Sequence, residues 1–151
     1  MSGPRGTGMS ARVIDPALFH RGGDPADPHP VLAGSRCAAD GTVVFPGQNS
    51  CPRCSGREVA AVPLPGHGSL WSWKTQQFRP KAPFRQPDGE FVAFPVGYVD
   101  LGEVIVEARL RVAETGHLRI GMPMRITWLP AWSGPDGDVL TYAFAPEERL
   151  P

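Results

Sequence analysis

The sequence predicts an all-β protein: an N-terminal arm, a small cysteine-bearing ribbon and a β barrel. Three observations carry this reading. Glycine and proline, 18 of each in 151 residues, make up nearly a quarter of the chain. That is about twice average usage, and it leaves no stretch of helical length with a steady 3.6-residue period. From residue 59 onward, short apolar runs recur with turn signals between them, the pattern of a small barrel. All three cysteines lie between positions 37 and 54, within one short ribbon-like stretch.

Each element follows from local chemistry. Residues 1–30 are rich in Gly, Pro and Asp and read as a flexible arm with one apolar cluster, Val13, Ile14, Leu18 and Phe19. Asp15 followed by Pro16 suits a helical N-cap with proline at the first helical position. The arm is either a disordered tail or a segment that docks on a partner, which would hide those apolar side chains. Residues 31–60 form the ribbon module: a short strand, a tight turn at Asp40-Gly41, the strand TVVF, a loop and a Cys-Pro-Arg-Cys turn. Residues 61–146 form the barrel and 147–151 a tail. Strands are expected at 59–64, 69–78, 91–99, 104–110, 124–129 and 139–144. Pro65-Gly66, Pro87-Asp88-Gly89, Leu101-Gly102 and Pro135-Asp136-Gly137 supply turns, and one helical turn fits near 114–119.

Hydrophobic residues, 41% of the chain, suffice for a single core. Fifteen basic and fifteen acidic side chains give zero formal charge, which argues against a dedicated nucleic-acid binder. No apolar run approaches membrane length and the N-terminus lacks an apolar signal core, so a cytoplasmic protein without a membrane partner is expected. An odd number of cysteines in a reducing compartment disfavours a disulfide framework.

Two constellations could carry chemistry. Cys51-Pro-Arg-Cys54 is a C-x-x-C knuckle, which lets two thiolates converge on one tetrahedral ion. Its counterpart reads Cys37-Ala-Ala-Asp40, and a carboxylate oxygen can complete a zinc site as a harder, weaker ligand. A ribbon without metal and a redox C-x-x-C are the other readings. The second constellation is residues 71–85, WSWKTQQFRPKAPFR. Lys74, Arg79, Lys81 and Arg85 occur there without an acid, interleaved with Phe78 and Phe84. Alternation puts Leu70, Ser72 and Lys74 on one strand face and Trp71, Trp73 and Thr75 on the other. The segment is a solvated edge with a proline loop, or a contact for an anionic, partly aromatic ligand. Single-stranded nucleic acid and coenzyme A both fit that description.

Catalytic residues are not expected. There is no G-x-S-x-G, no phosphate loop opening a helix and no H-E-x-x-H. His20, His29, His67 and His117 are scattered, and Glu103 and Glu107 are explained by pairing with Arg109 or Arg111.

The order RCAADGTVVFPGQNSCPRC, GHGSLWSWKTQQF, FPVGYVDL and IGMPMRITW, spanning about residues 31–146, resembles the acyl-CoA-associated zinc-ribbon/OB-fold family. The resemblance implies a rubredoxin-like ribbon and a five-stranded OB-fold barrel. In that family the first knuckle carries two cysteines, and Asp40 stands in place of the second. The implied metal is a structural zinc on Cys37, Asp40, Cys51 and Cys54. The implied role is a non-catalytic subunit that helps a thiolase-superfamily enzyme form its acyl-CoA channel, in a heterotetramer or larger assembly. The partner would perform thiolytic or retro-aldol cleavage, or condensation, as in steroid side-chain or aromatic-compound degradation. The CoA thioester is then a shared ligand, with Lys74, Phe78, Arg79, Lys81, Phe84 and Arg85 as ligand or partner contacts. The rival readings are an OB-fold single-strand nucleic-acid binder and an independent acyl-CoA hydrolase.

Overall fold

Where Gly and Pro interrupt the chain it turns, and where β-branched and aromatic residues cluster it extends. The computed structural model describes residues 11–76, 93–135 and 137–147. Four short strands come first: β1 (Arg12–Val13), β2 (Ala33–Cys37), β3 (Val43–Val44) and β4 (Val59–Pro63). Five longer ones follow: β5 (His67–Gln76), β6 (Phe94–Asp100), β7 (Ile105–Leu110), β8 (Pro123–Gly134) and β9 (Gly137–Pro146). The expected helical turn is a single 3-10 turn at Thr115–His117.

The five longer strands pair in the order β9-β7-β6-β5-β8, and a β8–β9 pairing closes the barrel. Neighbours are antiparallel except β7 and β9, which run parallel with Arg109 opposite Ala143 and Leu110 opposite Phe144. The interior is filled by Leu70, Val99, Val106, Met124, Ile126 and Phe144, all nearly inaccessible to solvent. Gly68 is demanded by this closure: a Cβ there would sit 2.3 Å from the Asp100 carbonyl oxygen. β8 continues past Leu129 because the irregularity between Pro130 and Trp132 bends the strand without ending it.

Strand β5 departs from simple alternation. Leu70 lies opposite Val99 and Ser72 opposite Tyr98, so Trp71 is an extra, bulged residue. The bulge shifts the alternation by one residue. Trp73 therefore packs on the same core as Leu70, while Trp71 is 58% exposed.

Residues 11–30, expected as a flexible arm, hold a strand and two 3-10 turns. β1 adds to β9, with Arg12 opposite Val139. Asp15 caps the 3-10 turn Pro16–Leu18 by accepting from the Ala17 N–H, as the Asp-Pro pair predicts. Phe19 is 2% exposed, its ring 5.4 Å from Trp128 and 6.3 Å from Tyr142. Phe45 of the ribbon meets Tyr142 edge-on at 5.7 Å. Arm, ribbon and barrel thus share one aromatic cluster that hides Phe19 within the chain itself, while Val13 and Leu18 are half-buried and Ile14 stays exposed.

Tyr142 makes this cluster pH-sensitive. Its hydroxyl donates to the Glu107 carbonyl, and its pKa is pushed up to about 12, first by burial and then by the Glu107 charge. The folded state therefore holds the proton more tightly than the unfolded state does. Stability should be unaffected below about pH 10 and fall as pH rises beyond it. Urea melts across that range should show the decline, and Tyr142→Phe should reduce it.

Candidate functional site

The ribbon is a three-stranded sheet in the order β3-β2-β4. β2 delivers Cys37 at its end, and the chain reverses at once: the Gly41 N–H donates to the Cys37 carbonyl at 2.9 Å, with Gly41 at φ +78°. A non-glycine residue would be strained in that conformation. Asp40 is held by the Thr42 N–H at 3.0 Å. The second knuckle closes through Ser55 N–H to the Cys51 carbonyl at 2.8 Å.

The two turns bring Cys37, Asp40, Cys51 and Cys54 together, with one ligand atom from each, all within 4.8 Å of one another. The Cys37 and Cys54 sulfurs are 3.6 Å apart, and the Cys51 sulfur lies 3.6 Å from both Asp40 oxygens. Amides of Ala39, Arg53 and Gly56 point at the three sulfurs, at 3.3, 3.4 and 3.4 Å. Such N–H donation orients and stabilises thiolates that bind an ion. The donor set fits a four-coordinate metal ion. Cys51–Cys54 occupies a turn between β3 and β4, so the helix-opening context of a redox C-x-x-C is not found there.

The electrostatics of the cluster favour a cation. The Thr42 N–H holds the Asp40 carboxyl down to about 2, so its charge is lost only as pH falls from the ordinary carboxylate range towards that value. The Gly56 N–H pulls the Cys54 thiol down. Contacts with Cys37 and Cys51, burial and the Asp40 charge outweigh it and push Cys54 up to about 11. The Cys54 thiol therefore keeps its proton until a metal ion supplies positive charge. At Cys51, by contrast, burial is outweighed by the Cys54 and Arg53 backbone N–H groups, which lower that thiol.

The ribbon is tied to the barrel by one two-pronged ion pair, Arg36 to Glu103 at 2.9 and 2.8 Å. This corrects the sequence expectation for Glu103, whose partner is not Arg109 or Arg111. Glu107 forms no ion pair among the described residues. Arg109 stacks on the Phe94 ring at 4.0 Å, and Arg111 donates to the Trp128 carbonyl. Arg36 is next to Cys37, but nothing local in the sequence marks Glu103, 67 positions away, as its partner. His67 pairs with Glu147 at 3.0 Å.

Of the basic, aromatic contact residues, Lys74 lies exposed on β5. Phe78, Arg79, Lys81, Phe84 and Arg85 fall outside the described residues.

Comparison with known proteins places this architecture. Residues 61–129 match the family described as "ChsH2, C-terminal OB-fold domain". A stretch of 80 residues is 38% identical to "Benzoylsuccinyl-CoA thiolase subunit BbsA" of Thauera aromatica, covering 52% of this chain and 51% of that protein. Among solved structures, the "Ltp2-ChsH2(DUF35) aldolase" superposes with a TM-score of 0.57 at 26% identity, over 77% of this chain and 84% of that one. Over residues 61–129 the chain is therefore similar to the OB-fold domain of that family. It spans about half the length of BbsA. The five-stranded barrel with its one parallel pairing is the OB fold that the sequence resemblance implies.

Proposed function

We propose that this chain is the non-catalytic accessory subunit of a thiolase-type enzyme, and that the two together cleave or condense an acyl-CoA. The observation that carries this is its likeness to a CoA thiolase subunit and to an aldolase chain. The comparisons do not favour the single-strand-binding alternative.

In this reading the ribbon's ion is a structural zinc. Three soft thiolates and one carboxylate suit that ion, and binding it would fix two turns that little apolar burial supports. The barrel is a platform, and the CoA thioester is shared with the partner. Lys74, Phe78, Arg79, Lys81, Phe84 and Arg85 are the contacts: guanidinium groups pair bidentately with phosphate, and phenyl rings stack on adenine or pack the pantetheine arm. The complex would be a heterotetramer or larger, acting in steroid side-chain or aromatic-compound degradation.

The test is reconstitution with the cognate thiolase-like subunit. Acyl-CoA turnover should require both chains, and robust acyl-CoA hydrolysis by this chain alone would overturn the proposal. Arg79→Ala, Lys81→Ala and Phe84→Ala should each change stability by less than about 1 kcal/mol. Each should raise the KM of the complex or weaken subunit association. Variants that melt early yet assemble and turn over normally would remove this segment from the interface.

A further inference from the structure

The chain that follows Phe19, HRGGDPADPHPV, must turn away from a buried ring and return to the sheet. It does so through three successive residues at positive φ: Arg21 at +57°, Gly22 at +80° and Gly23 at +79°. Glycine adopts this conformation freely, whereas arginine does so at a cost. A Cβ on Gly23 would lie 3.0 Å from the Cβ of Phe19, so the glycine lets the loop leave without displacing that side chain. The far side is fixed too. Asp24 caps the Ala26 N–H at 2.9 Å, and the Trp128 indole donates to the Asp27 carbonyl at 2.8 Å.

The loop and the barrel end thereby border a cleft, open to solvent, of about 390 Å³ lined by His20, Arg21, Asp24, Asp27, Val31 and Trp128. That is the size of a small-molecule site, about 300 to 1,000 Å³. Its charges are mixed. Arg21, Asp24 and Asp27, all exposed to solvent, border one space and do not pair with one another. Two carboxylates disfavour a simple anion and Arg21 disfavours a simple cation. A ligand bearing both charges satisfies all three. The strained residue at the rim is the one that supplies the cation, as expected where backbone strain serves a binding role.

We infer that this cleft binds a small zwitterion of the α-amino-acid class with an aromatic or branched apolar side chain. The ligand carboxylate meets Arg21 and the His20 ring, the ammonium meets Asp24 and Asp27, and the side chain packs on Trp128 and Val31. The inference does not depend on the thiolase-type reading.

Calorimetric titration of the full chain tests it with three probes of one shape: L-phenylalanine, 3-phenylpropionate and phenethylamine. L-phenylalanine should bind saturably with a submillimolar Kd, and each singly charged analogue at least about tenfold more weakly. Arg21→Gly removes the cation and relieves the strained backbone. It should melt no earlier than the parent yet lose at least about tenfold in affinity, as should Asp27→Asn. No saturable binding of L-phenylalanine up to about 10 mM would overturn the proposal. So would equal binding of a singly charged analogue, or an Arg21→Gly variant that binds like the parent.

Discussion

Purified, chelator-free protein is expected to carry close to one zinc ion per chain, and removing it should unfold the ribbon while the barrel survives. The ribbon sheet contributes few of the buried apolar side chains; Leu70, Val99, Val106 and Phe144 all belong to barrel strands. What fixes the two knuckles without metal is a handful of turn hydrogen bonds, each worth about 1 kcal/mol. Metal binding in small ribbons supplies about 10 kcal/mol or more, so here it dominates local order. The ligands should contribute unequally. Cys51→Ser replaces a buried thiolate with a neutral, harder hydroxyl. Asp40→Asn leaves a carbonyl oxygen at an exposed position. We expect the first to lower zinc affinity by more than about 100-fold, beyond the usual effect of losing an outer hydrogen-bond partner, and the second by much less. Elemental analysis and competition with a chromogenic chelator measure both, and amide spectra report which residues lose order. Protein isolated without zinc, or an Asp40→Asn loss equal to that of Cys51→Ser, would contradict the assignment.

Phe19→Ala is the second large effect expected. The ring is almost wholly buried and touches Trp128 and Tyr142, so truncation leaves a cavity between arm and barrel. Losses of about 3–5 kcal/mol are usual for such a change. The result separates two roles for the arm. An internal plug predicts a large drop in the melting temperature, present in the isolated chain. A segment reserved for a partner predicts a stability change within about 1 kcal/mol and loss of association instead. Thermal melting of the isolated variant decides between them.

Much of this was legible from local sequence. Gly- and Pro-centred turns divide the chain into strands, and the periodic apolar runs place five barrel strands within a few residues of their positions. The Asp-Pro cap of the arm and the convergence of Cys37, Asp40, Cys51 and Cys54 also follow from spacing. The rest depends on partners far away in the chain. Trp71 and Trp73 share a face under strict alternation, and only pairing with β6 reveals the bulge that separates them. Phe19 reads as an exposed hydrophobe until Trp128 and Tyr142 are brought to it. Pro130 looks like a strand end because proline cannot donate a ladder hydrogen bond, and the bulge beside it is what accommodates it. The Arg36–Glu103 pair joins two modules, and no local rule reaches across that distance.

The position of β9 has a consequence for biosynthesis. This strand pairs with β8, β7 and β1, and it is the last of the nine to be made. Until it leaves the ribosome, three strand edges have no partner and the barrel interior is open to water. Its pairings with β7 and β1 are of long sequence separation and form slowly, and unpaired edges invite pairing with other chains. Before β9 emerges the sheet is unclosed, and that is the state in which a chaperone has the most to protect.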